Sequence, residues 1–567
     1  MVLKSSAKKI WVILGSKGQK KLVLFSLLLF LSAMADVVGL ASLIPLFSSL
    51  LQPEFLFAHP FFGRLLEMLH IENEKELVWL FLGITPAIFI LKNLVTFVIN
   101  RLALKWVFGI SQQLSAHIVK HFYNLGYEYL LYQNTFKANF QIIMLPVQFT
   151  TITLRAVMGI ISETSVLVVV LVLTATFNLK LLLILLAFSL PVALIFSRWG
   201  SKKLELIGQT RNEYAPKNAE WLHKILDSYA EFKLYGAEQA FINEYLHIQQ
   251  KLNAMRFKKF GTQLYPKRIF ETIAVMAFCS IGVYFFLTDK TVESFLITAA
   301  WFGVIAYRLN PALIQLVQSN LDIADSANTI HLLHEHITNS KKEILPPKMI
   351  KMAQQLELQN LSFEFDEKPI FSGVSLLLKK GDRVAISGES GVGKSTLGKT
   401  LIGLLKAKSG RILVDDVELE FGQKQLASVG YLPAQISLLN TGIYENVALT
   451  LNLNNEQKER VEYCLQLSAL REFIGNNKQI GLNGKFVSSG QQQRIGLARA
   501  LYFNPEILVL DEFTANLDTE TEAEILENLK SAANSLSLSI IVFTHRKAVL
   551  ELATKHYELT QTGLVQR

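Results

Sequence analysis

Gly388-Glu-Ser-Gly-Val-Gly-Lys394-Ser395 reads Gly-x-x-x-x-Gly-Lys-Ser, and its surroundings decide the fold of the second half of this chain. The run Arg383-Val-Ala-Ile-Ser387 before it predicts a strand, and a helical pattern begins near Thr396. Strand, glycine-rich loop and helix in that order build a phosphate cradle. Gly388, Gly391 and Gly393 let successive backbone N–H groups, those of Glu389 and Ser390 among them, converge on phosphate oxygens. Lys394 supplies a point charge for the β and γ phosphates and Ser395 offers its hydroxyl to Mg2+. The helix opening at Ser395 and Thr396 adds its dipole. The bland alternative, a glycine-rich turn, does not account for the flanking strand and helix.

Downstream, the apolar run Ile507-Leu-Val-Leu510 leads directly into Asp511-Glu512. A buried strand thus delivers two carboxylates at its carboxyl end, where parallel sheets bind ligands. Asp511 is the candidate Mg2+ ligand, and Glu512 the group that orients or deprotonates an attacking water. His545 ends the later run Ile540-Ile-Val-Phe-Thr544, within reach of a γ-phosphate; alone it would read as a surface histidine. From about residue 353 short β-branched runs alternate with helical stretches, the texture of an α/β domain.

The first half has a different composition. The chain has 567 residues, 51% hydrophobic and only 18% charged, with mean hydropathy +0.31. That is too apolar for an ordinary soluble multidomain protein. A membrane helix needs about 20 mostly apolar residues, which predicts six spans, at 22–51, 77–104, 150–176, 180–198, 269–287 and 294–318. An even number places both ends on one side. The net charge of +9 could suggest nucleic acid, but Lys4, Lys8, Lys9, Lys17, Lys20 and Lys21 cluster ahead of the first span, as at a membrane surface. No nucleic-acid partner is expected. Glu54, Glu67, Glu72, Glu74 and Glu76 outnumber Arg64 and Lys75 in 52–76, which is therefore external. Lys202, Lys203, Lys217, Lys224, Lys251, Arg256, Lys258, Lys259, Lys267 and Arg268 mark 199–268 as cytoplasmic. The segments 105–149 and 199–268 are polar and rich in helix formers, so the helices should continue into the cytoplasm. Residues 22–51 are longer than a secretory signal needs and read as a retained first helix. Cys279 and Cys464 offer neither a disulfide framework nor metal-ligand spacing. The polar stretch with its proline pair, Pro346-Pro347, makes 338–352 a linker between a membrane domain at 1–337 and a nucleotide-binding domain at 353–567.

Between the two phosphate motifs lies Val487-Ser-Ser-Gly-Gln-Gln-Gln-Arg494, followed by a helix through Ala498 and Ala500. Together these elements resemble the ATP-binding-cassette superfamily, and the whole chain is similar to its exporter half-transporters. The fold so implied is an all-α six-helix transmembrane domain joined to an α/β P-loop nucleotide-binding domain. The resemblance implies ATP and Mg2+ as ligands and a composite site. Ser488, Gly490 and Gln491 would complete the ATP site of a second copy, making the working unit a homodimer in the inner membrane, with the ATPase domain and both termini cytoplasmic. Phe365 stands where an aromatic stacks on adenine. Departures from the family pattern are Ser489 for a glycine, Ala434 at the usual γ-phosphate-sensing glutamine, and Leu482 for a glutamate of the coupling segment. Gln435, next to Ala434, would serve as sensor and Mg2+ contact after a one-residue shift.

Ionisable residues in spans are functional candidates by default: Asp36, Lys92, Arg155, Glu163, Glu271 and Arg308. Lys92, Arg155 and Glu271 lie near plausible helix ends, where snorkelling or an ion pair explains them equally well. Asp36 and Arg308 sit deeper and are the better substrate contacts. Pro311 is expected to kink the sixth span. The stretches Ala35-Asp36, Phe61-Phe-Gly-Arg-Leu-Leu-Glu-Met-Leu69 and Tyr307-Arg308 resemble bacterial lipid-linked oligosaccharide flippases. Lipid-linked glycan, lipid or peptide cargo is the expectation. The competing reading is a nucleotide-gated, poorly hydrolysing regulatory or heterodimer-partner subunit, motivated by Ala434, Leu482 and Ser489.

Overall fold

A computed structural model describes residues 2–51, 53–58, 60–71, 73–177, 179–287, 292–339, 347–365 and 367–567. The turns expected at Phe177–Lys180 and Leu287–Glu293, and much of the linker at 338–352, fall wholly or partly outside them. The chain divides into two compact units. One comprises Met1–Tyr123 and Gln133–Lys342, the other Asn124–Tyr132 and Glu343–Arg567.

The first unit is built from long helices: α1 (Val2–Ala41), α2 (Glu74–Asn124), then, beyond the short α3 (Gly126–Tyr132) of the second unit, α4 (Arg155–Phe177), α5 (Leu179–Asp227), α6 (Glu238–Leu287), α7 (Val292–Asp325) and α8 (Ala327–Asn339). Among the described residues four helical stretches are long and apolar enough to cross a membrane, Ser5–Gly39, Glu74–Asn124, Thr135–Val172 and Glu238–Leu287. The expected spans at 180–198 and 294–318 lie on α5 and α7. As the sequence suggested, α2, α5 and α6 run far beyond the length a bilayer requires, each at about 50 residues.

The first span differs from its expectation. Its helix already begins at Val2 and carries the lysine cluster, with a break at Gly15, whose φ of 60° is left-handed. It stops at Ala41, and a separate helix follows over Leu43–Leu51. Within the segment expected to be external lies a helix, Pro60–Met68, whose Leu66 is buried with Leu77 and Phe81 of α2. The core of the unit joins Val37 of α1, Val166 of α4, Leu204 of α5, Phe270 of α6 and Leu309 and Leu321 of α7. On α2, Ile90, Leu91, Leu94 and Phe97 are exposed. Such a face is costly in water and carries no penalty against lipid chains.

The second unit holds β1 (Gln355–Phe365), β2 (Lys368–Lys379), β3 (Arg383–Ser387), α9 (Lys394–Leu401), β4 (Ser409–Val414), β5 (Val429–Leu432), α10 (Ser489–Tyr502), β6 (Ile507–Asp511), α11 (Thr519–Leu536), β7 (Ser539–Phe543), β8 (Lys555–Thr560) and β9 (Gly563–Gln566). Six strands form one sheet in the order β9-β8-β3-β7-β6-β5, parallel except for β9. β6 and β7 are buried throughout, as strands covered on both faces must be. Alternation along β6 sends Leu508 and Leu510 into one core and Ile507 and Val509 into the other. β2, β1 and β4 form an antiparallel sheet beside it.

Candidate nucleotide site and membrane charge cluster

Three adjacent strands end at the nucleotide motifs. The loop Gly388–Gly393 follows β3, Asp511 ends β6 with Glu512 directly after it, and His545 comes just after β7, which lies between them. Loops at the carboxyl ends of neighbouring parallel strands share one crevice. Two glycines of the phosphate loop are dictated sterically. Gly388 has φ 153°, and a Cβ there would lie 2.6 Å from the carbonyl oxygen of Leu559. Gly393 has φ 105°, and its Cβ would meet Ile370 of β2 at 2.5 Å. Lys394 opens α9 and is buried; its Nζ donates to the carbonyls of Gly388 (2.8 Å) and Glu389 (2.9 Å), curling the ammonium over the loop. α9 starts at Lys394, two residues before the expected Thr396.

The Ser395 hydroxyl neighbours the Asp511 carboxylate. Burial pushes the Asp511 carboxyl above its ordinary range, the neighbouring Ser395 hydroxyl lowers it, and Glu512 raises it further. The Oδ1 atom of Asp511 is buried with no hydrogen-bond partner. An orphaned carboxylate oxygen beside a hydroxyl fits a hard divalent cation, whose remaining ligands would be water and phosphate oxygens. Glu512 has a left-handed backbone, φ 48°, an uncommon conformation for a residue bearing a Cβ. Its Oε1 lies 3.8 Å from His545 Nδ1. Arg546 anchors the histidine loop by donating to the carbonyl of Ala515 (3.1 Å) and to Glu522 (3.1 Å).

Ser488 caps α10 by accepting from Gln491 N (3.2 Å), while Gln491 Oε1 accepts from Ser488 N (2.9 Å), a reciprocal capping box. The Ser488 hydroxyl proton remains available to donate. A Cβ on Gly490 would come within 2.8 Å of the Asn516 carbonyl, and Asn516 N donates to the buried Gln493 (3.2 Å). The signature helix and the Ala515–Asp518 segment are therefore packed together. Ala434 and Gln435 are both exposed in the loop after β5, the strand beside β6. Leu482 is 70% exposed on a turn of 3-10 helix. Phe365 ends β1 and is partly exposed.

In the helical unit, Asp36 and Arg308 are brought together. Asp36 accepts from Arg308 Nη2 and also from Lys92 Nζ at 3.0 Å. Lys92, read from sequence as a residue near a helix end, is thus an interior partner. Gly39, one turn from Asp36, makes room for it; a Cβ there would lie 2.5 Å from Lys92 Cδ. Glu163 of α4 lies in electrostatic range of Arg308 and Asp36. Two cations and one carboxylate from α1, α2 and α7 therefore meet, with the Glu163 carboxyl of α4 in their electrostatic surroundings. Glu271 instead pairs with Arg268 at 3.2 Å on an exposed face of α6. α7 contains Pro311 within one helix.

A family model described as ABC transporter matches residues 371–515. The ATP-dependent lipid A-core flippase of Francisella tularensis subsp. holarctica (strain OSU18) is 29% identical over 346 residues, 59% of this chain and 56% of that one. The ATP-dependent lipid A-core flippase of Coxiella burnetii (strain RSA 493 / Nine Mile phase I) is 31% identical over 369 residues, 61% of this chain and 59% of that one. ABC transporter B family member 29, chloroplastic, of Arabidopsis thaliana is 28% identical over 383 residues, covering 64% and 59%. This chain thus covers between 56% and 59% of the length of these relatives. The solved structure of a bacterial Atm1-family ABC exporter with ATP bound aligns over 97% of this chain and 95% of its own, with a TM-score of 0.78 and 20% identity. Residues 371–515 thus match the ABC transporter family, and the chain as a whole has the fold of an ABC exporter.

Proposed function

We propose that the chain is an ATP-driven exporter or flippase, working as a homodimer in the inner membrane with its nucleotide-binding domain and termini on the cytoplasmic side. The observation that carries the reading is the convergence of the phosphate loop, Asp511-Glu512 and His545 at the ends of β3, β6 and β7. In this reading Lys394 leaves its loop carbonyls for the β and γ phosphates, and the backbone of Glu389 to Gly393 cradles them. Ser395 and Asp511 would hold Mg2+, which when bound would neutralise charge on the phosphates. Glu512 takes the proton of the attacking water, and His545, 3.8 Å away, orients Glu512 or bonds the γ-phosphate. Gln435 supplies the sensing amide in place of Ala434, and Ser488, Gly490 and Gln491 of a second copy close the site.

The flippase relatives and the Asp36, Lys92 and Arg308 cluster favour a lipid cargo with a polar, anionic head over a peptide. An isolated charge in a span is costly, whereas a lysine and an arginine sharing one carboxylate can exchange it for a ligand anion. Reconstituted in nanodiscs, the protein should hydrolyse ATP in a Mg2+-dependent manner. Glu512→Gln should lower the rate about 100-fold or more while ATP binding survives. Undiminished turnover in that variant would overturn the assignment.

A further inference from the structure

The segment Asn124–Tyr132 is distant in sequence from the nucleotide-binding domain yet belongs to the same compact unit. Two tyrosines seat it. Tyr127 packs on the core beneath α9, with Lys399 of that helix 5.6 Å from its ring centroid. Tyr132, at the other end of α3, stacks on Phe365, with centroids 5.0 Å apart and planes 17° apart. Phe365 closes the β1–β2 hairpin, paired with Lys368, and Ile370 of the same hairpin abuts the phosphate loop at Gly393. One face of Phe365 lies against Tyr132, and the residue as a whole keeps 42% of its surface exposed.

We propose that Tyr132 is a positioning residue for the nucleotide base: it fixes the Phe365 ring so that adenine stacks on the free face, completing a three-ring stack. A spacing of 5.0 Å leaves no room for a base between the two rings, so Tyr132 backs the stack instead of clamping the base. Phe365 carries no hydrogen-bonding group, and a lone ring at a hairpin tip would pay rotamer entropy on binding; the tyrosine removes that cost beforehand. The inference rests on the ATP-site reading above.

The test is equilibrium binding to the full chain in detergent without Mg2+, with ATP and with inorganic tripolyphosphate, which has phosphates but no base. Tyr132→Ala should weaken ATP about two- to tenfold, the range of one aromatic pair, and leave tripolyphosphate unchanged. Tyr132→Phe should keep wild-type affinity. In a Phe365→Ala background Tyr132→Ala should have no further effect. Tighter ATP binding by Tyr132→Ala would show that the base displaces the tyrosine, and equal weakening of both ligands would show a merely structural role; either overturns the proposal. Should the alanine variant not fold, Tyr132→Leu, which keeps bulk without a ring face, is read the same way. Absence of ATP binding in the unsubstituted chain would instead refute the site itself.

Discussion

Asp36 and Asp325 make the same bonds in different surroundings. Each carboxylate holds one lysine and one arginine: Asp36 holds Lys92 and Arg308, and Asp325 holds Lys259 (2.7 Å) and Arg211 (2.8 Å). The Asp36 side chain keeps 16% of its surface open and its arginine 26%, whereas Asp325 is fully buried. Around Asp325 a polar collar closes, with Gln263 on Asp322 (2.7 Å), Thr153 on Ser326 (2.8 Å) and Asn212 on Thr329 (3.0 Å). An ion pair that water or a head group can reach is able to exchange partners; one sealed by other side chains can only hold helices together. On these exposures the Asp325 knot is a structural fastening of α5, α6 and α7, and the Asp36 cluster is the ion-pair group that the proposed cargo would engage.

The largest expected effect lies at the sealed site. Asp325→Ala leaves Arg211 and Lys259 without their counter-charge, a loss of about 3–5 kcal/mol for a buried pair. The apparent unfolding temperature of the purified protein should fall by at least about 5 °C. A fall no greater than that of Asp36→Ala, measured alongside, would break the comparison.

Asp36→Asn should behave differently. The opening admits water to the two cations, so the loss of stability should stay near 1 kcal/mol or less. Removing the internal competitor should let an anionic lipid stimulate the ATPase at a concentration about threefold lower, a change of roughly 0.7 kcal/mol. A stimulation curve identical to wild type in nanodiscs of anionic lipid would detach the cluster from cargo recognition.

The two sites also differ in how legible they were. Asp36 and Arg308 stand out because a charge within an apolar run has no cheap explanation, and the phosphate loop, Asp511 and Glu512 because loop chemistry is written in consecutive residues. Asp325 carried a signal too, since Asp322, Asp325, Ser326 and Thr329 recur at helical spacing, but such a stripe beyond a span reads as a solvated face. Its burial is decided by Arg211 and Lys259, 114 and 66 residues away, and no local pattern fixes that packing. The stack of Tyr132 on Phe365 was hidden for the same reason. Lys92 was visible but ambiguous, because its meaning depends on Gly39 of another helix leaving it a path to Asp36.

The smallest expected effect tests that path. A Cβ at Gly39 would press on Lys92 Cδ at 2.5 Å and Cε at 2.9 Å, the far end of a flexible chain that can swing aside. At Gly208 the same atom would lie 1.9 Å from the backbone carbonyl oxygen of Asp325, which cannot move without moving α7. Gly39→Ala also exchanges the poorer helix former for the better, a gain of up to about 1 kcal/mol that offsets the crowding. The unfolding temperature should therefore stay within about 2 °C of wild type, while the loosened Lys92 shifts the lipid response in the direction of Asp36→Asn but less far. If Gly39→Ala instead destabilises the protein as strongly as Asp325→Ala, the membrane cluster is as rigid as the sealed one, and an exchangeable counter-ion at Asp36 is ruled out.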